Sequence, residues 1–264
     1  MSKLKINLEN LDLNRVYTLE EFELINEELK RGHIEINGKP VDLFELDKNG
    51  KLVPMPQATV EFEAVVGEIV GQLGNWNVHT RQNGIITTSQ GGYDFNVGGQ
   101  RTIDAPDVAF LTRKAYKRLT LQQRRTFQGA PFSSTFVVEV ADLSQASVFH
   151  RLDRKIKDDY LATESSVQLA WLIDPVNKQI HLYTRGMRRY LWGWRDVRGE
   201  HALPKFILKI WKIEEVIEVC CCILYYYYFH VLDSINHDIP FSIAGFRVFK
   251  RIRVVARVRN VSNF

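Results

Sequence analysis

The sequence predicts an α/β fold in which helices pack on a mixed β-sheet. Three observations predict it. Helical and strand-like runs follow one another in the order α–β–β–β–α–β–β–β. The stretch "STFVVEVADL" is short and mostly apolar, the pattern of a buried strand. Residues 57–76 carry Phe62, Val65, Val66, Ile69, Val70 and Leu73 on one helical face. A chain of 264 residues, 45% hydrophobic, is ample for one domain with a real core plus appendages.

The elements read in order as follows. Thr18-Leu-Glu-Glu21 is a capping box opening a helix through about Lys30. "GHIEINGKPVDLFELDKNGKLVPMP" reads as short strands, with Asn37-Gly38 and Asn49-Gly50 as turns. The 57–76 helix follows, with Glu61 and Glu63 at the rim of its apolar face. Residues 84–111 read as one hairpin turning at Gly98-Gly99. "KAYKRLTLQQRRTF" is a polar, helix-prone outer connection, and the Glu139 strand comes next. Residues 147–163 read as a charged amphipathic helix. "VQLAWLID" and "QIHLYTR" form a second hairpin around Pro175–Lys178. "RYLWGWRDV" and "PKFILKIW" add strands, and "KIEEVI" closes on a helical turn.

Three regions are expected. Residues 1–54 supply a helix and short strands that pack on the core. Residues 55–218 are the main domain. Residues 219–264 are a basic, aromatic-rich extension whose texture matches nothing before it. The net charge of +4 belongs to that extension. It holds six of the 35 basic and two of the 31 acidic residues, so the first 218 residues balance at 29 of each. No apolar run reaches 18 residues, so no membrane span is expected. "MSKLKINLEN" has no apolar signal core. Cys220, Cys221 and Cys222 are adjacent and suit neither a disulfide framework nor a metal-binding pair. An intracellular location is expected, cytoplasmic and nuclear not being distinguished.

Two single acids stand inside apolar runs: Asp107 in "APDVAF" and Glu139 in "VVEV". An ionised carboxylate is costly to bury without a partner. On neighbouring strands and one face, the two would sit a few ångströms apart. Their repulsion raises one pKa unless a cation lies between them. Mg²⁺ suits such a pair, because it takes hard oxygen ligands, commonly one or two carboxylates plus waters and substrate phosphates. Mn²⁺ is a possible substitute. Lys155 and Lys157 stand on the following helix, where a lysine could orient a nucleophile and stabilise charge on a phosphate.

With "APDVAF", "FVVEV", a following "L…K…Y" and "WLIDP" in this order, the chain resembles the Uma2 group of the PD-(D/E)XK nuclease superfamily, classed with restriction endonucleases, over roughly Met55 to Ile213. The resemblance implies a restriction-endonuclease-like core, a central mixed sheet flanked by helices. It implies Mg²⁺-dependent cleavage of DNA, with Asp107 and Glu139 as metal ligands, and a homodimer is compatible with it. The superfamily often adds a glutamate from the first core helix, a place Glu63 or Glu61 could fill. Its lysine usually stands two residues after the glutamate, where this chain has Ala141. In the Uma2 group the lysine moves to the next helix. The Leu152-x-x-Lys155 context points to Lys155, with Lys157 as the alternative.

The other conspicuous residues read as structural. Asp174 before Pro175 favours a turn, and Trp171 belongs in a core. Gly91, Gly92, Gly98 and Gly99 lack phosphate-loop spacing. The seven histidines show no zinc-ligand spacing. Arg113, Lys114, Lys117, Arg118, Arg124 and Arg125 form either a nucleic-acid stripe or a solvated face. Two functions therefore compete: an endonuclease, or a nuclease-fold module that binds nucleic acid or a partner protein without cutting.

Overall fold

The computed structural model describes Leu8 and residues 11–32, 34–187 and 189–218. The extension 219–264, with its cysteines and basic residues, lies outside the described residues, as do His33, His230 and His237.

Helix α1 (Leu19–Leu29) opens on the predicted capping box. Glu21 N–H donates to Thr18 Oγ1 at 3.2 Å, and Thr18 N–H donates to Glu21 Oε2 at 2.9 Å. Its buried face, Phe22, Ile25 and Leu29, packs against β2 (Lys39–Leu46). Strands β1 (Ile34–Ile36) and β2 are joined by Asn37-Gly38, with φ of 55° and 72°. Positive φ at both central residues is what a type I′ turn requires. Strand β3 (Leu52–Pro56) pairs on the other side of β2.

Helix α2 (Val60–His79) lies about one turn later in the chain than the spacing predicts. The expected 84–111 hairpin is divided between two sheets. Its outer strands, β4 (Ile85–Thr88) and β7 (Val108–Leu111), pair in the central sheet from Ile85↔Leu111 to Thr88↔Val108. Its inner strands, β5 (Tyr93–Asp94) and β6 (Ile103–Asp104), pair with each other, and β6 joins β2 through Leu46↔Ile103. The chain leaves the central sheet at Gly91-Gly92. A Cβ there would lie 2.8 Å from Thr87 or Phe127, so the bend needs glycine.

Two short helices, α3 (Arg113–Arg118) and α4 (Leu121–Arg125), form the outer connection and bury no residue. Strand β8 (Phe136–Val140) follows, then α5 (Ala146–Arg154). The predicted 147–163 helix is not one α-helix: it passes into a π-helical turn over Lys155–Tyr160. Strands β9 (Leu169–Asp174) and β10 (Gln179–Thr184) form the second hairpin in full register, and β11 (Tyr190–Leu191) adds an edge. Apart from β11, the expected strands around residues 190–211 are mostly irregular chain, with β12 (Val197–Arg198) paired to β13 (Ile207–Leu208). Residues 210–218 are helical.

The central sheet has the order β11-β10-β9-β8-β7-β4. β8 and β9 are parallel and the other pairs antiparallel, so the sheet is mixed, as predicted. A core of α2, Phe136, Val138, Trp171 and Phe206 covers one face. On the other, Val137, Ala170 and Leu172 meet Leu152, Ile156 and Tyr160. The described residues form one compact unit.

Candidate functional site

Strand β8 alternates in the way its sequence requires. Phe136 and Val138 point into the α2 core, and Val137 into the α5 core. Glu139 therefore shares the face of Val137, beneath the π-helical turn. The β7–β8 register runs Phe110↔Phe136, Ala109↔Val137, Val108↔Val138. One further step places Asp107 opposite Glu139. Residues so opposed have Cβ atoms about 4.5–5.5 Å apart. Val140 N–H donates to Asp107 Oδ2 at 2.7 Å, which fixes that carboxylate at the strand end.

Lys155 reaches Glu139. Its Nζ lies 3.4 Å from Glu139 Oε1, and 2.8 and 2.9 Å from the two oxygens of Glu45. Asp104 Oδ1 is 3.8 Å away. Glu45 also accepts from Ala105 N–H at 2.7 Å. Three carboxylates from two sheets thus surround one ammonium. Tyr160 completes the group by donating its hydroxyl to Glu139 Oε1. The π-helical turn explains how Lys155 and Tyr160 cooperate. Five residues apart on an α-helix, they would diverge by about 140°. The wider turn, with its i→i+5 bonding, brings both toward Glu139. Lys48 and Asp159, 3.4 Å apart, add a second strut between the β2–β3 turn and this segment.

The charge balance perturbs the acids. Burial, and then the nearby charge of Glu139, push Asp107 up to about 8, against the lowering hydrogen bond from Val140. Burial also raises Asp104, and Lys155 only partly offsets it. Asp104 Oδ2 is buried with no hydrogen-bond partner among the described residues. Burial alone would lower Lys155, but Glu139, Glu45 and Asp104 outweigh it and hold the ammonium charged. Burial and Glu139 keep the Tyr160 phenol protonated, so it remains a donor.

The structure brings together three of the predicted residues: Asp107, Glu139 and Lys155. It does not bring in Lys157, which is exposed and bonded to Asp153 at 2.6 Å, one turn back on its own helix. Glu63 is exposed at the start of α2 and shares a cleft of about 510 Å³ with Asp107, Asp42 and Gln90. Glu61 does not line that cleft. Asp174 is structural, as expected: it accepts from Asn177 N–H at 2.9 Å and from Leu143 N–H at 3.2 Å, capping the turn. Trp171 is fully buried.

Sequence reasoning missed Glu45, Asp104 and Tyr160. Glu45 in "LFEL" and Asp104 in "TIDA" carry the signal that found Glu139, a lone acid in an apolar run. Tyr160 lay in the "L…K…Y" pattern without a role.

A mixed sheet with helices on both faces, carrying opposed acids and a lysine above one strand pair, is the class of architecture the sequence motifs lead one to expect. The chain belongs to the Uma2 family: the family model, described as "Putative restriction endonuclease", matches residues 38–209. The matched span begins before Glu45 and so contains every member of the cluster. Among solved structures, a chain described as "a putative nuclease belonging to DUF820" from Anabaena variabilis is 17% identical, with a TM-score of 0.48, over 66% of this chain and 91% of that one. Comparison with curated proteins gives no match.

Proposed function

We propose that this protein is a metal-dependent DNA endonuclease that hydrolyses phosphodiester bonds. The observation that carries the reading is Asp107 and Glu139 one register step beyond the Val108↔Val138 pair, with Asp107 held by Val140 N–H and Lys155 3.4 Å from Glu139. The pair fits a divalent cation on its own chemistry. Both groups offer hard oxygens, and burial together with the nearby charge of Glu139 pushes Asp107 up to about 8, a repulsion that a cation between them would relieve. Among the described residues no three acidic, histidine or cysteine side chains converge into a complete cage, so water and phosphate oxygens would make up the remaining ligands. Mg²⁺ or Mn²⁺ held there would activate water and neutralise phosphate charge.

The chain's own groups have separable tasks. Val140 N–H occupies Asp107 Oδ2 and leaves Oδ1 to face a ligand. Tyr160 orients the Glu139 carboxylate through Oε1. Glu45 and Asp104 hold Lys155 charged and aimed, so that its ammonium stabilises charge developing on the phosphate. Glu63, which lines the same cleft as Asp107, would hold water or a second ligand.

A second reading has its own observation. Lys155 is already engaged by both oxygens of Glu45, the arrangement of a structural ion cluster, and this favours a module that binds without cutting. Nicking of supercoiled plasmid with Mg²⁺, Mn²⁺ or chelator separates the two. Cleavage by wild type, lost in Glu139→Ala, supports the enzyme. Binding without cleavage under every metal condition supports the module.

A further inference from the structure

The connection between β7 and β8 carries a charge pattern unlike the rest of the described residues. Between Asp107 and Glu139 there is no acidic residue at all, while Arg113, Lys114, Lys117, Arg118, Arg124 and Arg125 all lie within it. All six are exposed, and none forms an ion pair among the described residues. Helices α3 and α4 bury no residue, so packing does not explain why they exist. Elsewhere basic residues are commonly paired locally, as in Lys30–Glu27, Arg31–Glu28 and Lys209–Asp196.

The segment is also fixed in place. Glu23 on α1 accepts from Phe127 N–H at 2.8 Å and from the Gln128 amide at 2.7 Å. Arg101 donates to the carbonyls of Phe127 and Gly129. These bonds fold the end of α4 back over the small sheet. There Arg125, Thr126 and Phe127 line one cleft of about 440 Å³ together with Glu45, Asp104, Glu23 and Glu27. A basic surface without ion pairs among the described residues therefore runs from solvent to the rim of the acid–lysine cluster.

We infer that α3 and α4 are the docking surface for the phosphate backbone of duplex DNA, with Arg125 the contact nearest the cluster. The inference rests on the endonuclease reading and adds the face along which the substrate lies. Isolated cations on exposed helices suit phosphates, which are met by charge rather than by shape. The cluster beneath supplies acids and would repel the backbone on its own, so a separate basic contact is needed to bring the polyanion in.

The test uses the full chain carrying Glu139→Ala, so that DNA is bound and not cut. Affinity for a labelled duplex is measured against salt, with and without Lys117→Gln, Arg118→Gln, Arg124→Gln and Arg125→Gln together. Each lost phosphate contact should reduce the slope of log affinity against log salt by about 0.9, so the fourfold variant should lose up to about 3.6 and bind at least about tenfold more weakly at low salt. Arg251→Gln, Arg253→Gln, Arg257→Gln and Arg259→Gln together are the control and should leave the slope within about 1 unit. An unchanged slope in the α3–α4 variant overturns the inference, as does a loss confined to the control. If the chain with Glu139 intact cuts plasmid while the α3–α4 variant keeps its slope, only the docking surface is wrong. If that chain neither cuts nor binds, the endonuclease reading itself fails.

Discussion

Replacing Lys155 by methionine isolates the electrostatic core of the site. The substitution keeps a long unbranched side chain and removes the charge. In the native protein Nζ lies 2.8 Å from Glu45, 3.4 Å from Glu139 and 3.8 Å from Asp104. At an effective dielectric of about 20, each contact is worth about 4–6 kcal/mol of gross attraction. Most of that only offsets the desolvation of the ions. What remains when one partner is removed is the cost of stranding the others, about 3–5 kcal/mol. Urea denaturation at pH 8 should show a loss of that size. The loss should shrink toward pH 5. Asp104 and Asp107 have raised folded pKa values, so their protonated forms favour the fold, and that stability is present at low pH and is lost as pH rises through the folded values, about 8 for Asp107. Lys155 itself stays charged across this range, because its pKa is raised further above the usual lysine value. The double variant Lys155→Met with Glu45→Gln should cost clearly less than the two single losses added together. A loss below about 1 kcal/mol, constant from pH 5 to pH 8, would refute the reasoning, because it would make the cluster a solvated surface pair.

Other consequences follow from the same geometry. Tyr160→Phe keeps the ring and removes the donor to Glu139, so stability should fall by about 1–3 kcal/mol in chemical denaturation. Apparent Mn²⁺ affinity, read by calorimetry, should rise about tenfold per pH unit below pH 8 and level off above it, because Asp107 must lose its proton to ligate; Asp107→Asn should abolish that rise. Lys157→Ala should change stability by less than about 1 kcal/mol, since its partner Asp153 keeps Tyr183 and Arg189 and the lysine is exposed.

The parts of this structure that could be read from sequence are those set by local rules. The capping box at Thr18, the I′ turn at Asn37-Gly38 and the turn at Pro175–Lys178 depend on a few adjacent residues, and each formed where expected. Glu139 was legible because strand alternation alone separates it from Phe136 and Val138. Glu45 and Asp104 were not, although each stands alone in an apolar run. Their role arises only when β6 joins β2 through the Leu46↔Ile103 pairing and the small sheet meets α5, and no local pattern encodes that meeting. The division of the 84–111 hairpin has the same origin. The π-helical turn was hidden because one extra residue per turn leaves the apolar spacing of a short segment nearly intact. Which of Lys155 and Lys157 approaches Glu139 therefore depends on backbone geometry rather than on residue type.

The most direct test compares plasmid nicking by wild type, Lys155→Gln and Lys157→Gln, each shown to be folded by circular dichroism, with Mg²⁺ or Mn²⁺ present. The account predicts that Lys155→Gln loses about 100-fold or more in rate, the size of effect expected when a group stabilising transition-state charge is removed, while Lys157→Gln stays within about twofold of wild type. Cleavage that survives in Lys155→Gln and disappears in Lys157→Gln would contradict it.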